Sequence, residues 1–226
     1  MINSLSEQLP LKTIGIVLTD DYYTYLGIAS LFEDGKCFMF PLNGEYNSCQ
    51  ISASEDIIII IDGRVLIQGV WKGFKALMQH YPHARRIWLT RRDIGKLYPH
   101  GCDRDPDIDP DLAKPVFIEH FIKYACANDV AVGEIAPLTK KEEELLWHFL
   151  YKKSMSQIAS SYGISRKTLY IHRLRICRKY GFKRFFHLLF IYQRSRHIFA
   201  SKICRVDKNA DQACSKQDEK VNDERV

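Results

Sequence analysis

Five polar side chains in the first half of the chain have the types needed to hold a divalent cation and a phosphoryl group. Carboxylates are the ligands that Mg²⁺ prefers, while a hydroxyl and an ammonium can hold a phosphoryl group on an aspartate. The five residues are Asp20, Asp21, Asp62, Thr90 and Lys114. We expect all five beyond the carboxyl ends of strands, where polar chemistry gathers in open α/β sheets.

The elements that would position these residues are predicted from apolar periodicity. Strands are expected at Lys12 to Leu18, Cys37 to Leu42, Ile57 to Ile61 and Arg86 to Leu89, and helices at Tyr22 to Glu33, Val70 to His80 and Phe117 to Ala125. The strand Ile57 to Ile61 is apolar on both faces, which suits a buried central strand. Alternating strands and helices of these lengths predict an α/β domain with a parallel sheet.

The order of the polar residues resembles the receiver domain of two-component response regulators. That pattern has an acidic pair after the first strand, an acceptor Asp after the third, Thr after the fourth and Lys-Pro after the fifth. The resemblance covers about residues 12–127. It implies a flavodoxin-like domain, Asp62 as the phospho-acceptor, and a Mg²⁺ ion on Asp20, Asp21 and Asp62 as the only cofactor, if the site functions.

Two departures from the receiver pattern bear on control. Asp62 is followed by Gly63-Arg64-Val65 rather than the usual Met-Pro pair, and the Asp-rich segment Gly101 to Asp111 precedes Lys114. We interpret that segment as a solvated loop. A working phosphorylation site and a domain kept for pairing both remain open, and we favour action independent of phosphorylation.

Positive charge is concentrated in one part of the chain. Residues 1–137 carry 13 Lys/Arg against 18 Asp/Glu, whereas residues 138–206 carry 16 against 3. A polyanion partner requires such a concentration, because each neutralised phosphate releases a counterion. A solvated basic face is the alternative explanation.

The basic segment has the pattern of a helix-turn-helix. Thr139 and Glu142 form a predicted capping box for a helix from Lys140 to Tyr151. Ser154 can cap a short helix through Ser161, and Gly163 ends it. Ser165 can cap a third helix from Arg166 to about Tyr180. Two helices joined by a tight turn, the second rich in cations, favour a recognition helix in the DNA major groove.

This segment is similar to the LuxR/FixJ (NarL-type) helix-turn-helix family over about 50 residues without a gap. The shared features are Leu138-Thr139, Glu142 to Leu146, Ile158-Ala159, Ile164-Ser165, Thr168 to His172 and Lys179 to Gly181. The resemblance implies an all-α four-helix domain and a transcription regulator. Together with the receiver-like part, it resembles the enterobacterial accessory regulators of this family.

The predicted DNA contacts lie on the third helix. They are Lys167, Thr168, Tyr170, Ile171, Arg173, Leu174, Arg175 and Arg178. We expect Lys167 and Arg175 to reach guanine edges, and the apolar members to contact thymine methyl groups. Thr168, Arg173 and Arg178 are expected on phosphates.

A fourth, aromatic-rich helix is predicted from Phe182 to about Arg196. The family resemblance implies that this helix pairs two DNA-binding domains, and the alternative is that it covers the receiver-like domain. The predicted domains are residues 1–130 and 138–206, with a linker at 131–137 and a disordered tail at 207–226. Tail composition is mixed in charge and almost free of large apolar residues.

Composition limits the remaining classes of function. The seven cysteines include no CxxC pair, and the longest apolar runs are far shorter than a membrane span, so we expect a cytoplasmic protein with reduced thiols and no membrane partner. No Ser/His/Asp set, metal-ligand spacing or nucleotide-binding Gly loop is present, so we expect no enzyme.

The sequence thus predicts a bacterial regulator that binds double-stranded DNA as a homodimer or as a heterodimer with a related response regulator. RNA polymerase is a further candidate partner. The alternative is an interaction protein that sequesters another regulator and has no operator of its own.

Overall fold

A parallel sheet forms the centre of the first half of the chain. The computed structural model describes residues 13–33, 35–45, 56–91, 94–99, 101–126, 138–151 and 154–203. The strands are β1 (Thr13–Leu18), β2 (Cys37–Phe40), β3 (Asp56–Asp62), β4 (Arg85–Leu89) and β5 (Asp107–Ile108). They are all parallel and lie in the order β2-β1-β3-β4-β5. This is the flavodoxin-like order, so the receiver-like α/β prediction is confirmed.

Helices cover both faces of this sheet. They are α1 (Tyr22–Ala29), α2 (Arg64–Gln68), α3 (Lys72–His80) and α4 (Lys114–Cys126). On one face Ile28 and Phe121, from α1 and α4, pack with the alternate β3 residues Ile58 and Ile60. Helices α2 and α3 cover the other face, where Leu66 packs in the same cluster as the remaining β3 side chains. The short helix α2 was not predicted from the sequence.

The connection from β4 to β5 is held by ion pairs. Parallel strands are usually joined through a helix, but the described residues between these two strands are irregular. Asp105 is buried and pairs with Arg86 at 2.8 Å, and it accepts a hydrogen bond from Trp88 Nε1 at 3.0 Å. Lys96 Nζ lies 2.7 Å from Asp107. The Asp-rich segment is therefore fixed to the sheet and contains β5, unlike the solvated loop that we predicted.

Five helices follow among the described residues from 138 to 203. They are α5 (Lys140–Leu150), α6 (Met155–Ser161), α7 (Arg166–Lys179), α8 (Phe185–Arg194) and α9 (Arg196–Ile203). The predicted capping box of α5 is present, and Ser154 and Ser165 cap α6 and α7. The predicted fourth helix is interrupted at Ser195, so that α9 is an additional element. The helix-turn-helix prediction is confirmed.

The two halves of the chain share one apolar core. Leu66 and Trp71 of the sheet half lie in the same buried cluster as Leu188 and Phe199 of the helical half. Helix α8 thus covers the sheet half, which was the alternative that we considered for it. The predicted linker at 131–137 and tail at 207–226 lie outside the described residues. Within the described ranges no helix is long and apolar enough to span a membrane.

Candidate nucleic-acid interface and strand-end acidic site

The carboxyl ends of β1 and β3 meet where the strand order reverses. Leu18 pairs with Ile61, which places Thr19 beside Asp62. The Thr19 hydroxyl donates a 2.6 Å hydrogen bond to one carboxylate oxygen of Asp62, and the backbone N–H of Arg64 donates to the other at 3.0 Å. Asp62 is 6% exposed. The predicted acceptor is therefore a buried carboxylate with both oxygens hydrogen-bonded.

The acidic pair at the end of β1 has structural partners. Asp20 accepts a 2.9 Å hydrogen bond from the backbone N–H of Leu42. Asp21 caps α1, where it accepts hydrogen bonds from the Tyr23 backbone and, at 2.7 Å, from the Thr24 hydroxyl. The hydrogen bond from Thr24 and a further one from Arg64 lower the pKa of Asp21. These two carboxylates are thus oriented by the chain around them.

The guanidinium of Arg64 lies between the carboxylates of Asp21 and Asp62. Arg64 Nη2 is 2.9 Å from the carboxylate of Asp21, and its Nε is 3.7 Å from that of Asp62. One internal positive charge therefore faces two carboxylates and offsets part of their negative charge. The described residues include no group of three acidic, His or Cys side chains arranged to hold a metal ion. Magnesium binding by Asp20, Asp21 and Asp62 stays a prediction.

The remaining predicted receiver residues make no described bond to that ion pair. Thr90 is buried and its hydroxyl accepts a 3.2 Å hydrogen bond from Tyr98 Oη, whose pKa is raised by burial. Lys114 begins α4 and is exposed, and it lines a groove of about 520 Å³ together with Asp21. Among the described contacts, neither Thr90 nor Lys114 bonds to Asp62. Phosphorylation of Asp62 stays a prediction.

Helix α7 is held by its buried side against α5 and α6. Leu169 and Ile176 are completely buried, and Ile158 of α6 packs in the same cluster. Gly163 has φ +59° in the turn between α6 and α7, a conformation that glycine adopts without strain. This packing places the opposite side of α7 toward solvent.

Most of the predicted DNA contacts lie on the solvent side of α7. Lys167, Thr168, Tyr170, Ile171, Arg175 and Arg178 are exposed, and Arg173 and Leu174 are half-buried. Within the described ranges, the cations at 167, 175 and 178 form no ion pair. They therefore form a positively charged surface whose charge is not neutralised by a neighbouring carboxylate.

The amino terminus of α7 adds to this surface. Ser165 Oγ accepts a 3.0 Å hydrogen bond from the Thr168 backbone N–H and lies 2.9 Å from the Thr168 hydroxyl. The helix dipole places partial positive charge at this end, which favours a bound phosphate.

The charged end of α7 is tied to α5. Lys179 Nζ lies 2.6 Å from the buried carboxylate of Glu142, which also accepts the Thr139 backbone N–H in the capping box. Burial raises the pKa of Glu142, but the hydrogen bonds from Lys179 and Thr139 outweigh it and leave the pKa below its ordinary value. Lys179 is therefore structural and not part of the exposed surface.

Several residues of these sites were not predicted. Thr19 and Tyr98 are hydrogen-bond partners of predicted residues. The β1–β3 register places Thr19 beside Asp62, whereas Tyr98 reaches Thr90 from the irregular β4–β5 connection. Arg64 could have been predicted from the sequence, because a cation two positions after Asp62 is close enough to reach its carboxylate. Trp71 and Ser195, which join the two halves of the chain, are too far apart in sequence for any local pattern to pair them.

A receiver-like α/β domain followed by a helix-turn-helix domain is the architecture of a full-length response regulator. The chain is similar in fold to RcsB from Salmonella enterica serovar Typhimurium bound to promoter P1flhDC with the phosphomimetic BeF3⁻. The TM-score is 0.52 and the identity 14%, over 82% of this chain and 99% of that one.

Two further solved structures are similar. A structure of two RcsB dimers bound to two parallel DNAs has TM-score 0.45 and 16% identity, over 81% of this chain and 98% of that one. Full-length FixJ from B. japonicum has TM-score 0.27 and 14% identity, over 82% and 98%. Comparison with protein-family models and with curated protein sequences finds no match.

Proposed function

We propose that the chain is a DNA-binding transcription regulator, and that α7 enters the major groove to read sequence. The observation that carries the proposal is the row of exposed side chains on α7 in a helix-turn-helix, with cations that make no described ion pair. The similarity in fold to RcsB bound to promoter P1flhDC supports it, because that protein binds DNA. No catalytic role is needed.

The contacts divide by chemistry. Lys167 and Arg175 are proposed to reach guanine edges, where a cationic donor recognises the O6 and N7 acceptors. Tyr170, Ile171 and Leu174 offer apolar surface to thymine methyl groups. Thr168 and Arg178 are proposed to position the duplex through its phosphates.

Control is proposed to be independent of phosphorylation. Arg64 supplies a permanent positive charge between Asp21 and Asp62, at the place where the receiver resemblance implies Mg²⁺. The sheet half is then a structural and pairing element, which acts in a homodimer or in a heterodimer with a related regulator.

Exposed apolar side chains supply the surface for such pairing. Tyr22, Tyr23 and Leu26 on α1 are 58%, 82% and 44% exposed, and Phe186 on α8 is 68% exposed. The α1 surface also favours the second candidate function, an interaction protein that sequesters a partner without binding DNA itself.

A genome-wide binding map of the tagged chain tests the proposal. We expect discrete peaks that share a sequence motif and that disappear when Lys167 and Arg175 are both replaced by Ala. Peaks that persist in that variant would show recruitment through a DNA-bound partner and contradict reading by α7, and the absence of peaks for the unaltered chain would favour the sequestering alternative.

A further inference from the structure

We propose that Arg173 is a positioning residue that fixes the ring of Tyr170 for base readout, and not a phosphate contact. The proposal deepens the proposed DNA-binding function and depends on it. It differs from the sequence expectation, in which Arg173 was assigned to phosphate because of its charge alone.

The geometry places the Arg173 guanidinium between two aromatic rings. Its central carbon lies 4.9 Å from the centroid of the Tyr170 ring and 5.5 Å from that of Phe185. Tyr170 lies one helical turn before Arg173 on α7, and Phe185 begins α8. The guanidinium is therefore in contact with both the exposed helix face and the following helix.

The stack continues into the core of the helical half. The ring of Phe185 lies 5.4 Å from that of Phe149, which is buried on α5. A series of contacts thus leads from the buried core through Phe185 and Arg173 to Tyr170, whose ring is 46% exposed. An exposed tyrosine would otherwise rotate freely about its side-chain bonds.

A planar guanidinium is well suited to this task. It is attracted to the face of an aromatic ring and stacks on it, which a compact ammonium does less well. The Tyr170 ring then loses its conformational entropy before DNA binds, so the ring is preorganised for contact with a base edge.

Burial separates Arg173 from the exposed cations at the predicted DNA contacts of α7. Arg175 and Arg178 are exposed, whereas Arg173 is half-buried. A guanidinium that is stacked between two rings would have to leave them to reach a phosphate. Replacing it should consequently lower the affinity for the specific site and leave sequence-independent binding almost unchanged.

The test measures DNA affinity of the Arg173→Gln and Arg178→Gln variants of the full chain. One duplex contains the motif shared by the peaks of the binding map, and the other has that motif scrambled. For Arg173→Gln we expect about two- to fivefold weaker specific binding, the range of an exposed cation–π contact. Non-specific affinity and the salt slope should hardly change. For Arg178→Gln both affinities should fall, and the slope of log K against log salt should decrease by about one.

Two further variants complete the comparison. Tyr170→Ala combined with Arg173→Gln should be no worse than Tyr170→Ala alone, because the arginine acts through the ring. A decrease of about one in the salt slope for Arg173→Gln, or unchanged specific affinity, would overturn the proposal.

A measurement without DNA separates this proposal from the function on which it rests. The side-chain protons of Arg173 should show an upfield ring-current shift by NMR that diminishes in Tyr170→Ala. Absence of that shift would overturn the stack even if the protein binds DNA. Its presence in a protein without any DNA affinity would preserve the stack but contradict the proposed function and the readout role together.

Discussion

The indole nitrogen of Trp71 donates a 2.7 Å hydrogen bond to the hydroxyl of Ser195, a residue 124 positions later in the chain. Both residues are buried. A second hydrogen bond between the two halves runs from the backbone N–H of Lys96 to the Tyr180 carbonyl at 2.7 Å. The helical half is therefore fixed on the sheet half through α8 and the turn after α7, while the proposed DNA-reading face of α7 stays open to solvent.

The Trp71–Ser195 bond should contribute to stability across the two halves. Trp71→Phe leaves a buried hydroxyl without its donor, which costs about 1–3 kcal/mol. Urea unfolding of Trp71→Phe, Ser195→Ala and the double variant should give a coupling energy of about 1 kcal/mol. Strictly additive losses would mean that the two side chains do not interact in solution.

Gly95 is a second point of close approach between the halves. Its φ is +76°, and a Cβ there would lie 2.6 Å from the Phe182 ring. Gly101 provides a matched control, because its φ is +82° and a Cβ would meet nothing within 4 Å. Gly95→Ala should therefore destabilise the protein by about 1–3 kcal/mol more than Gly101→Ala, the usual cost of overpacking. Equal losses in thermal or urea unfolding would contradict the contact.

The ion pair between Glu142 and Lys179 predicts a pH dependence of stability. Because the pKa of Glu142 is lowered in the folded protein, its contribution is complete above the ordinary value of about 4.3 and is lost as pH falls through the folded pKa. Glu142→Gln should lower the free energy of unfolding by about 1–3 kcal/mol at pH 7. The variant should also lose less stability than the unaltered protein as the pH falls below about 5. Glu119 is exposed, so Glu119→Gln should change neither the stability at pH 7 nor its loss in acid. If Glu142→Gln lost stability in acid as the unaltered protein does, the stabilising role of the Glu142–Lys179 pair would be contradicted.

The acidic site predicts resistance to phosphorylation. Arg64 already occupies the space between Asp21 and Asp62 with a positive charge, so incubation with acetyl phosphate and Mg²⁺ should give no Asp62-dependent label. Asp62→Asn should likewise leave promoter control intact in vivo. Labelling that disappears in Asp62→Asn, together with lost regulation, would establish a working receiver site and contradict phosphorylation-independent action.

The sequence predicted elements best where a local pattern determines them. The run Ile57 to Ile61 and the caps Thr139, Ser154 and Ser165 are local signals, and the structure confirms the strand and the three helices. Helix α7 could be predicted from its cap and its cationic face alone. The fold class follows from these patterns in combination.

Features that depend on contacts between distant segments were not predictable. The strand β5 has only two residues, and it is held by the ion pairs of Asp105 and Asp107 with cations on other segments. The interruption between α8 and α9 lies at Ser195, whose hydroxyl bonds to the distant Trp71. Arg64 could have been recognised as a neighbour of Asp62, but its bridge to Asp21 requires the β1–β3 pairing.

Binding of the full chain to DNA, measured by anisotropy over a range of salt concentrations, tests the central claim most directly. With a duplex selected from a random pool, affinity should fall steeply as salt rises. Lys167→Ala combined with Arg175→Ala should abolish the preference for that duplex, whereas Lys75→Ala with Lys123→Ala, which removes the same charge from exposed sites on the sheet half, should preserve it. If no sequence is enriched, or if both double variants bind like the unaltered chain, α7 does not read DNA and the proposed function is wrong.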